Sequence, residues 1–332
     1  MQRNTDIGFF TRPSNIRPLI KRGIQDDKKM IWPRKFYLAI TYVFARTTPR
    51  IYRLWHIRIV ARILYFFMGR MRRAVHENLS VVLKRPPEDP LVKSTAIRTF
   101  QNYGIYLADY VRLNRLNKHL LPEEEGQHHI KQVLADGRGA ILIMPHLGNW
   151  ELGGVLFAMR QCPIHALTLK DPETDVQDFR DKMRNTLGIE TLHIDPTNYG
   201  NVLKLVKLLK GNQVIAMLGD RFEGGKKVEV TFFGRKVIFP VGAMVLALNS
   251  GAPVIPVFTV VKPDGHYLSW MEEPIRVTRR AGVSTTELIV EKAQELAMVF
   301  ETVISHYPDQ WYHFFNYWER YACEDSPAGP SA

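Results

Sequence analysis

His146 and Glu151 stand five residues apart in the stretch Met144-Pro145-His146-Leu147-Gly148-Asn149-Trp150-Glu151-Leu152-Gly153. An imidazole titrates near neutrality, so it can take a proton from a hydroxyl as that oxygen attacks an electrophile. A carboxylate beside it would hold the ring in one tautomer and stabilise the imidazolium that forms. The chain has no Gly-x-Ser-x-Gly segment, and its cysteines are Cys162 and Cys323. Direct attack by a substrate hydroxyl is therefore expected, with His146 as base and Glu151 as its orienting partner. The alternative is a buried histidine satisfied by a nearby carbonyl.

The elements that must position this pair can be read on either side of it. Ala140-Ile141-Leu142-Ile143 is a short apolar run of the buried-strand type. The residues after Glu151 form a helical pattern with Asn149 as its N-cap. His146 then sits in a turn at the carboxyl end of a strand, where open α/β sheets place ligands. From Lys131 onward helix and strand alternate. Strands are predicted near 163–169, 190–194, 214–218, 228–233, 237–239, 253–261 and 267–271. Helices are predicted near 89–113, 131–136, 176–187, 199–210, 241–250 and 285–305. The expected fold is α/β: one domain over 73–322 with a central mixed, largely parallel sheet flanked by helices. Residues 323–332, rich in Pro, Ser and Ala, read as a disordered tail.

The net charge of +12 is concentrated at one end. Residues 1–75 hold 17 Lys and Arg against 3 Asp and Glu, whereas the rest hold 28 against 30. The apolar run 36–45 is only ten residues long, and 51–68 is interrupted by Arg53, His56, Arg58 and Arg62. A spanning helix needs about 20 predominantly apolar residues, so neither run suffices alone. Residues 1–72 read instead as a basic, aromatic-rich helical segment lying on an anionic membrane, its arginines reaching the headgroups. Arg58 and Arg62 share a helix face there, while Arg53 points elsewhere. A core helix with a basic outer face is the other reading. Nucleic acid is not expected, because the aromatics lie inside apolar runs and no binding motif accompanies them. Two distant cysteines fit a reducing compartment, and residues 1–30 contain no apolar core of a secretory signal. Glu123-Glu124-Glu125 beside His128-His129 lacks further ligands at zinc-like spacing and reads as a solvated turn, so no metal is expected.

Three further stretches carry candidate site residues. Arg180 and Arg184 fall at i, i+4 and could grip a phosphate or carboxylate, or belong to a solvated charged face. Asp220-Arg221 ends an apolar strand, either entering the crevice or forming a loop-tying ion pair. Phe232-Phe233-Gly234-Arg235 and the run to Pro240 would line an apolar groove or pack the core. Lys204, Lys207 and Lys210 share a solvated helix face that could meet an acidic protein.

His146-Leu147-Gly148-Asn149-Trp150-Glu151 resembles the His-x4-Asp/Glu box of glycerolipid and lipid A acyltransferases. It is closest to the late acyltransferases of lipid A biosynthesis, the lauroyl/myristoyl transferase family, whose box reads His-x-Gly-Asn-Trp-Glu. Arg73 with Asn78-Leu79, Phe232-Phe233-Gly234 and Pro253–Phe258 resemble other family stretches in the same order, so the likeness runs from about residue 73 to 315. It implies acyl transfer from an acyl-carrier protein or acyl-coenzyme A thioester to a hydroxyl or amine of a lipid acceptor, such as a lipid A precursor or a related glycolipid. No resident cofactor is implied. His146 and Glu151 would be catalytic. Asn149, Arg180, Arg184, Asp220, Arg221, Phe233, Gly234, Arg235 and Pro240 would bind substrate. The place implied is the cytoplasmic face of a bacterial inner membrane. That family usually starts with one transmembrane helix, a pattern this chain departs from. A lipid hydrolase and a non-catalytic lipid-binding protein are the rival functions.

Overall fold

The computed structural model describes residues 47–113, 120–159, 164–169, 174–195 and 199–323, all within the unit Ala45–Ala332. Three helices come first: Arg50–Phe67 (α1), Gly69–Leu83 (α2) and Pro90–Tyr110 (α3). There follow Glu123–Glu125 (β1), Gln127–Ala135 (α4), Ala140–Met144 (β2), Trp150–Ala158 (α5), Ile164–Leu169 (β3), Thr174–Thr186 (α6), Ile189–Ile194 (β4), Tyr199–Lys210 (α7) and Val214–Leu218 (β5). The chain continues through Lys227–Phe232 (β6), Arg235–Pro240 (β7), Gly242–Ser250 (α8), Val254–Val261 (β8), Tyr267–Met271 (β9), Thr285–His306 (α9) and Tyr317–Arg320 (α10).

Local chemistry fixes several of these boundaries. Lys84 turns left-handed to end α2, and Asp89 caps α3 by accepting from the Leu91 N–H, with Pro90 at the first helical position. Ser284 and Glu287 form a reciprocal capping box that starts α9.

Seven strands form one sheet in the order β1-β9-β8-β2-β5-β3-β4. Neighbours from β8 to β4 run parallel, while β9 lies antiparallel to β8. β2 is buried over Ala140–Ile143, as a central strand covered on both faces must be. Met144 is in register with Leu218, so β2 and β5 finish side by side. The main core packs on one face of the sheet, including Ile141, Ile215, Phe258 and Phe300, and a smaller cluster joins α1, α2 and α3 through Tyr65, Leu79 and Phe100. Fully burying one such side chain contributes about 1.5–3 kcal/mol.

One expectation changes. Glu123–Glu125 is no turn but an exposed edge strand, parallel to β9, where its charges discourage further strand pairing. The second apolar run becomes α1, which buries Arg53 while Arg58 and Arg62 stay exposed. Among the described residues no helix is long and apolar enough to cross a membrane. The run 36–45 and the tail from 324 lie outside the described residues.

Candidate active site

The register of β2 and β5 brings two side chains together. Each strand runs on two residues past its end, β2 to His146 and β5 to Asp220, and the Gly219 N–H donates to the Met144 carbonyl at 2.9 Å to keep them aligned. His146 Nδ1 lies 2.6 Å from Asp220 Oδ1, and the His146 backbone N–H donates to Oδ2 at 2.9 Å. Trp311 Nε1 and His313 Nε2 reach the same Oδ2 at 3.1 and 3.0 Å.

This arrangement corrects the pairing expected from sequence. Glu151 does not hold His146; its two oxygens accept from Arg184 Nη2 at 2.6 Å and Nε at 3.1 Å. The reason is directional. Glu151 lies in the first turn of α5 and meets α6, whereas parallel strand register delivers Asp220 to the imidazole.

The donors settle the protonation pattern. Arg221 Nε donates to His313 Nδ1 at 3.2 Å, so His313 must carry its proton on Nε2 and donate to Asp220. Burial, reinforced by the Arg221 charge, pushes His313 down to about 3, so it stays neutral. Burial opposes a charge on Asp220, but the pull of His146 and the hydrogen bonds from His146 and His313 outweigh it and hold the carboxyl well below its usual range. Ionised Asp220 accepts from Nδ1 of His146, which leaves Nε2 of that ring with its lone pair. Burial lowers the His146 pKa against the pull of Asp220, so the ring is a neutral base at physiological pH.

The turn carrying His146 is tied on both sides. Gly148 has φ +63°, and a Cβ there would lie 2.0 Å from the Thr259 carbonyl oxygen, so only glycine fits. The Asn149 N–H donates to that carbonyl at 2.7 Å, and the Tyr312 N–H donates to the His146 carbonyl at 2.8 Å. The Asn149 side chain caps α5, as expected, by accepting from the Leu152 N–H at 3.0 Å.

An apolar cavity of about 860 Å³, counting its open mouth, lies between α5 and the sheet. It reaches Met144, Trp150 and Leu218, and Trp150 packs against His146 with ring centroids 5.6 Å apart. Small residues leave the space open: Gly153 and Gly154 on α5 face Ala166 and Ala216, which are paired in register on β3 and β5. Among the described residues no group of three or more His, Cys, Asp or Glu could hold a metal ion.

A family model described as bacterial lipid A biosynthesis acyltransferase matches residues 24–320. The chain belongs to that family. A phosphatidylinositol mannoside acyltransferase of Mycobacterium tuberculosis is 31% identical over 201 residues, 58% of this chain and 62% of the relative. The enzyme of the same name from Mycolicibacterium smegmatis is 28% identical over 249 residues, 74% of this chain and 78% of the relative. A lipid A biosynthesis lauroyltransferase of Escherichia coli is 26% identical over 207 residues, 60% and 64% of the two chains. The chain thus spans about three-fifths of the length of the M. tuberculosis relative.

Within this acyltransferase-family chain the other predicted residues separate. Arg184 is consumed by Glu151, whose carboxylate outweighs burial and keeps the guanidinium firmly protonated. Arg221 is committed to His313, to the Tyr312 carbonyl at 2.7 Å and to the Phe315 ring. It therefore braces the dyad where an anion contact was expected. Arg180 stays exposed on α6, close enough to Tyr103 and Tyr106 to act on them electrostatically. Phe233 and Gly234 form the positive-φ turn of the β6–β7 hairpin. Phe233 is buried against Trp311 and Trp318, and Arg235 lies over Trp318. This hairpin, with Pro240 ending β7, does not line the cavity; its aromatics fill the core. Trp311 and His313 were missed by sequence reasoning. Their only signal was a histidine among aromatics just after the last long helix, and nothing local tied it to a strand end 91 residues or more away.

Proposed function

We propose that this chain is an acyltransferase that moves a fatty acyl group from a thioester to a hydroxyl of a membrane glycolipid. The observation that carries the reading is the His146–Asp220 dyad packed against Trp150, which with Met144 and Leu218 lines an apolar cavity. His146 Nε2 removes the proton from the acceptor hydroxyl or amine, and the acceptor atom attacks the thioester carbonyl carbon. The negative oxygen that results faces the first N–H groups of α5, at Trp150 and Glu151, which have no acceptor within the helix. The carbon–sulfur bond then breaks, and the imidazolium returns its proton to the leaving thiolate. Asp220 stays ionised throughout and stabilises the imidazolium.

The fatty chain occupies the cavity between α5 and the sheet. Arg180 at the rim contacts an anionic acceptor headgroup. The donor is acyl-coenzyme A or an acyl-carrier protein. The names of the relatives favour a phosphatidylinositol mannoside-like acceptor or a lipid A precursor. The site works at an anionic membrane surface, on the cytoplasmic face of a bacterial inner membrane. Support comes from α1, which exposes Tyr52, Trp55, Ile59, Ile63 and Phe66 as one stripe, with exposed Arg58 and Arg62 along its edge.

The test gives purified protein radiolabelled acyl thioesters and separate glycolipid acceptors in anionic vesicles. Labelled acceptor lost in His146→Ala supports the reading. Free fatty acid alone makes the protein a hydrolase, and lipid binding without turnover makes it a binding protein.

A further inference from the structure

Four polar side chains, each at least 98% buried, run in a line from the first described long helix to the catalytic turn. Arg53 of α1 reaches Asp109 Oδ1 of α3 at 3.5 Å. Tyr267 of β9 donates its hydroxyl to Asp109 Oδ2 at 3.0 Å. Asn149 Nδ2 donates to that same hydroxyl oxygen at 3.3 Å. Asn149 Oδ1 then caps the Leu152 N–H of α5.

Each link fixes the next. Asp109 accepts the hydrogen bond from the Tyr267 hydroxyl, so the phenol can offer Asn149 only a lone pair. The Asn149 amide must therefore turn its NH₂ toward Tyr267 and its oxygen toward Leu152. Asn149 is the residue between the turn that carries His146 and the helix start that faces the reacting carbonyl. An apolar core would serve stability as well as a buried Arg–Asp pair, and often better, so the charges call for another explanation.

We infer that Arg53, Asp109, Tyr267 and Asn149 form a positioning relay through which α1 sets the geometry of the catalytic turn. None of the first three touches the reacting atoms; they act through Asn149. A second contact runs the same way. Arg50, one turn before Arg53, donates to the Gly265 carbonyl in the turn that leads into β9. Arg50 thus holds the turn that leads into the strand of Tyr267, while Arg53 reaches that strand through Asp109. The opposite face of α1 carries the exposed aromatic stripe, so anything that seats α1 is felt at Asn149. The inference rests on the proposed function for its consequence to catalysis, though the coupling can be measured without turnover.

The experiment uses the full chain with Tyr267→Phe, which deletes one hydroxyl, and Arg53→Gln, at the far end of the relay. Hydrogen exchange is followed by mass spectrometry in the segments 50–67, 100–110 and 146–153. Acyl transfer is measured alongside with acyl-coenzyme A and a phosphoglycolipid in anionic vesicles. Both variants should speed exchange in 146–153 and lower kcat by about tenfold to a hundredfold with the thioester KM little changed, as a small misplacement of the turn predicts. Exchange that rises only in 50–67 and 100–110, with kcat at the parent value, would make the residues a local anchor and overturn the relay. If the parent itself transfers nothing, the proposed function fails, and the exchange in 146–153 still decides the relay. Should Arg53→Gln unfold, Tyr267→Phe alone carries the same two outcomes.

Discussion

His146 Nδ1 donates to Asp220 Oδ1 across 2.6 Å, although 74 residues separate the two in the chain. The bond is a product of strand register, since β2 and β5 end level with each other and each runs on by two residues. Asp220 in turn collects the His146 backbone N–H, Trp311 and His313, so its place is fixed from two further segments.

Asp220→Asn keeps the shape of the side chain and removes its charge. Acyl transfer is expected to fall by about 10²–10⁴-fold while the folded state persists. Asp220 raises the His146 pKa, so its loss moves the acid limb of the residual rate to lower pH. A pH–rate profile of parent and variant checks both effects.

Glu151 and Arg184 form a buried two-pronged ion pair, with side chains 7% and 13% exposed. Removing one partner leaves the other charge stranded, so Glu151→Gln and Arg184→Gln should each cost about 3–5 kcal/mol. The double variant should recover part of that loss. Urea unfolding of the four proteins measures the coupling.

His313 is held neutral down to about pH 3 in the fold, whereas an exposed histidine gains its proton near pH 6.5. Between these values the unfolded chain binds a proton that the folded chain does not. Stability from this group is therefore complete above about pH 6.5 and declines as pH falls, by about 1.4 kcal/mol per pH unit. His313→Gln should show a shallower loss of melting temperature than the parent from pH 6.5 toward pH 4.

The sheet was legible because its strands are short apolar runs between helical patterns; 199–210, 214–218 and 267–271 match the observed bounds residue for residue. His146 and the Asn149 cap were legible for the same local reason. The partner of His146 was not. Choosing Asp220 over Glu151 requires knowing that β5 lies beside β2, and order within a parallel sheet leaves no mark on either strand's sequence. The cavity was misplaced for a related reason. Phe233 and Pro240 are apolar and conspicuous, but the empty space comes from small residues, Gly153, Gly154, Ala166 and Ala216, which meet only once the layers pack.

Ala216 lies on the cavity floor beside Ala166. Ala216→Phe fills that space and should shift the preferred donor to a shorter acyl chain with little loss on that donor. Competition between acyl thioesters of several lengths reads the shift directly.

The central claim is tested most directly by single-turnover acyl transfer to a glycolipid acceptor in parent, His146→Ala and Asp220→Asn proteins, with folding checked by circular dichroism. The account predicts labelled glycolipid from the parent, none from His146→Ala, and a trace from Asp220→Asn. Transfer that survives His146→Ala at the parent rate would contradict it.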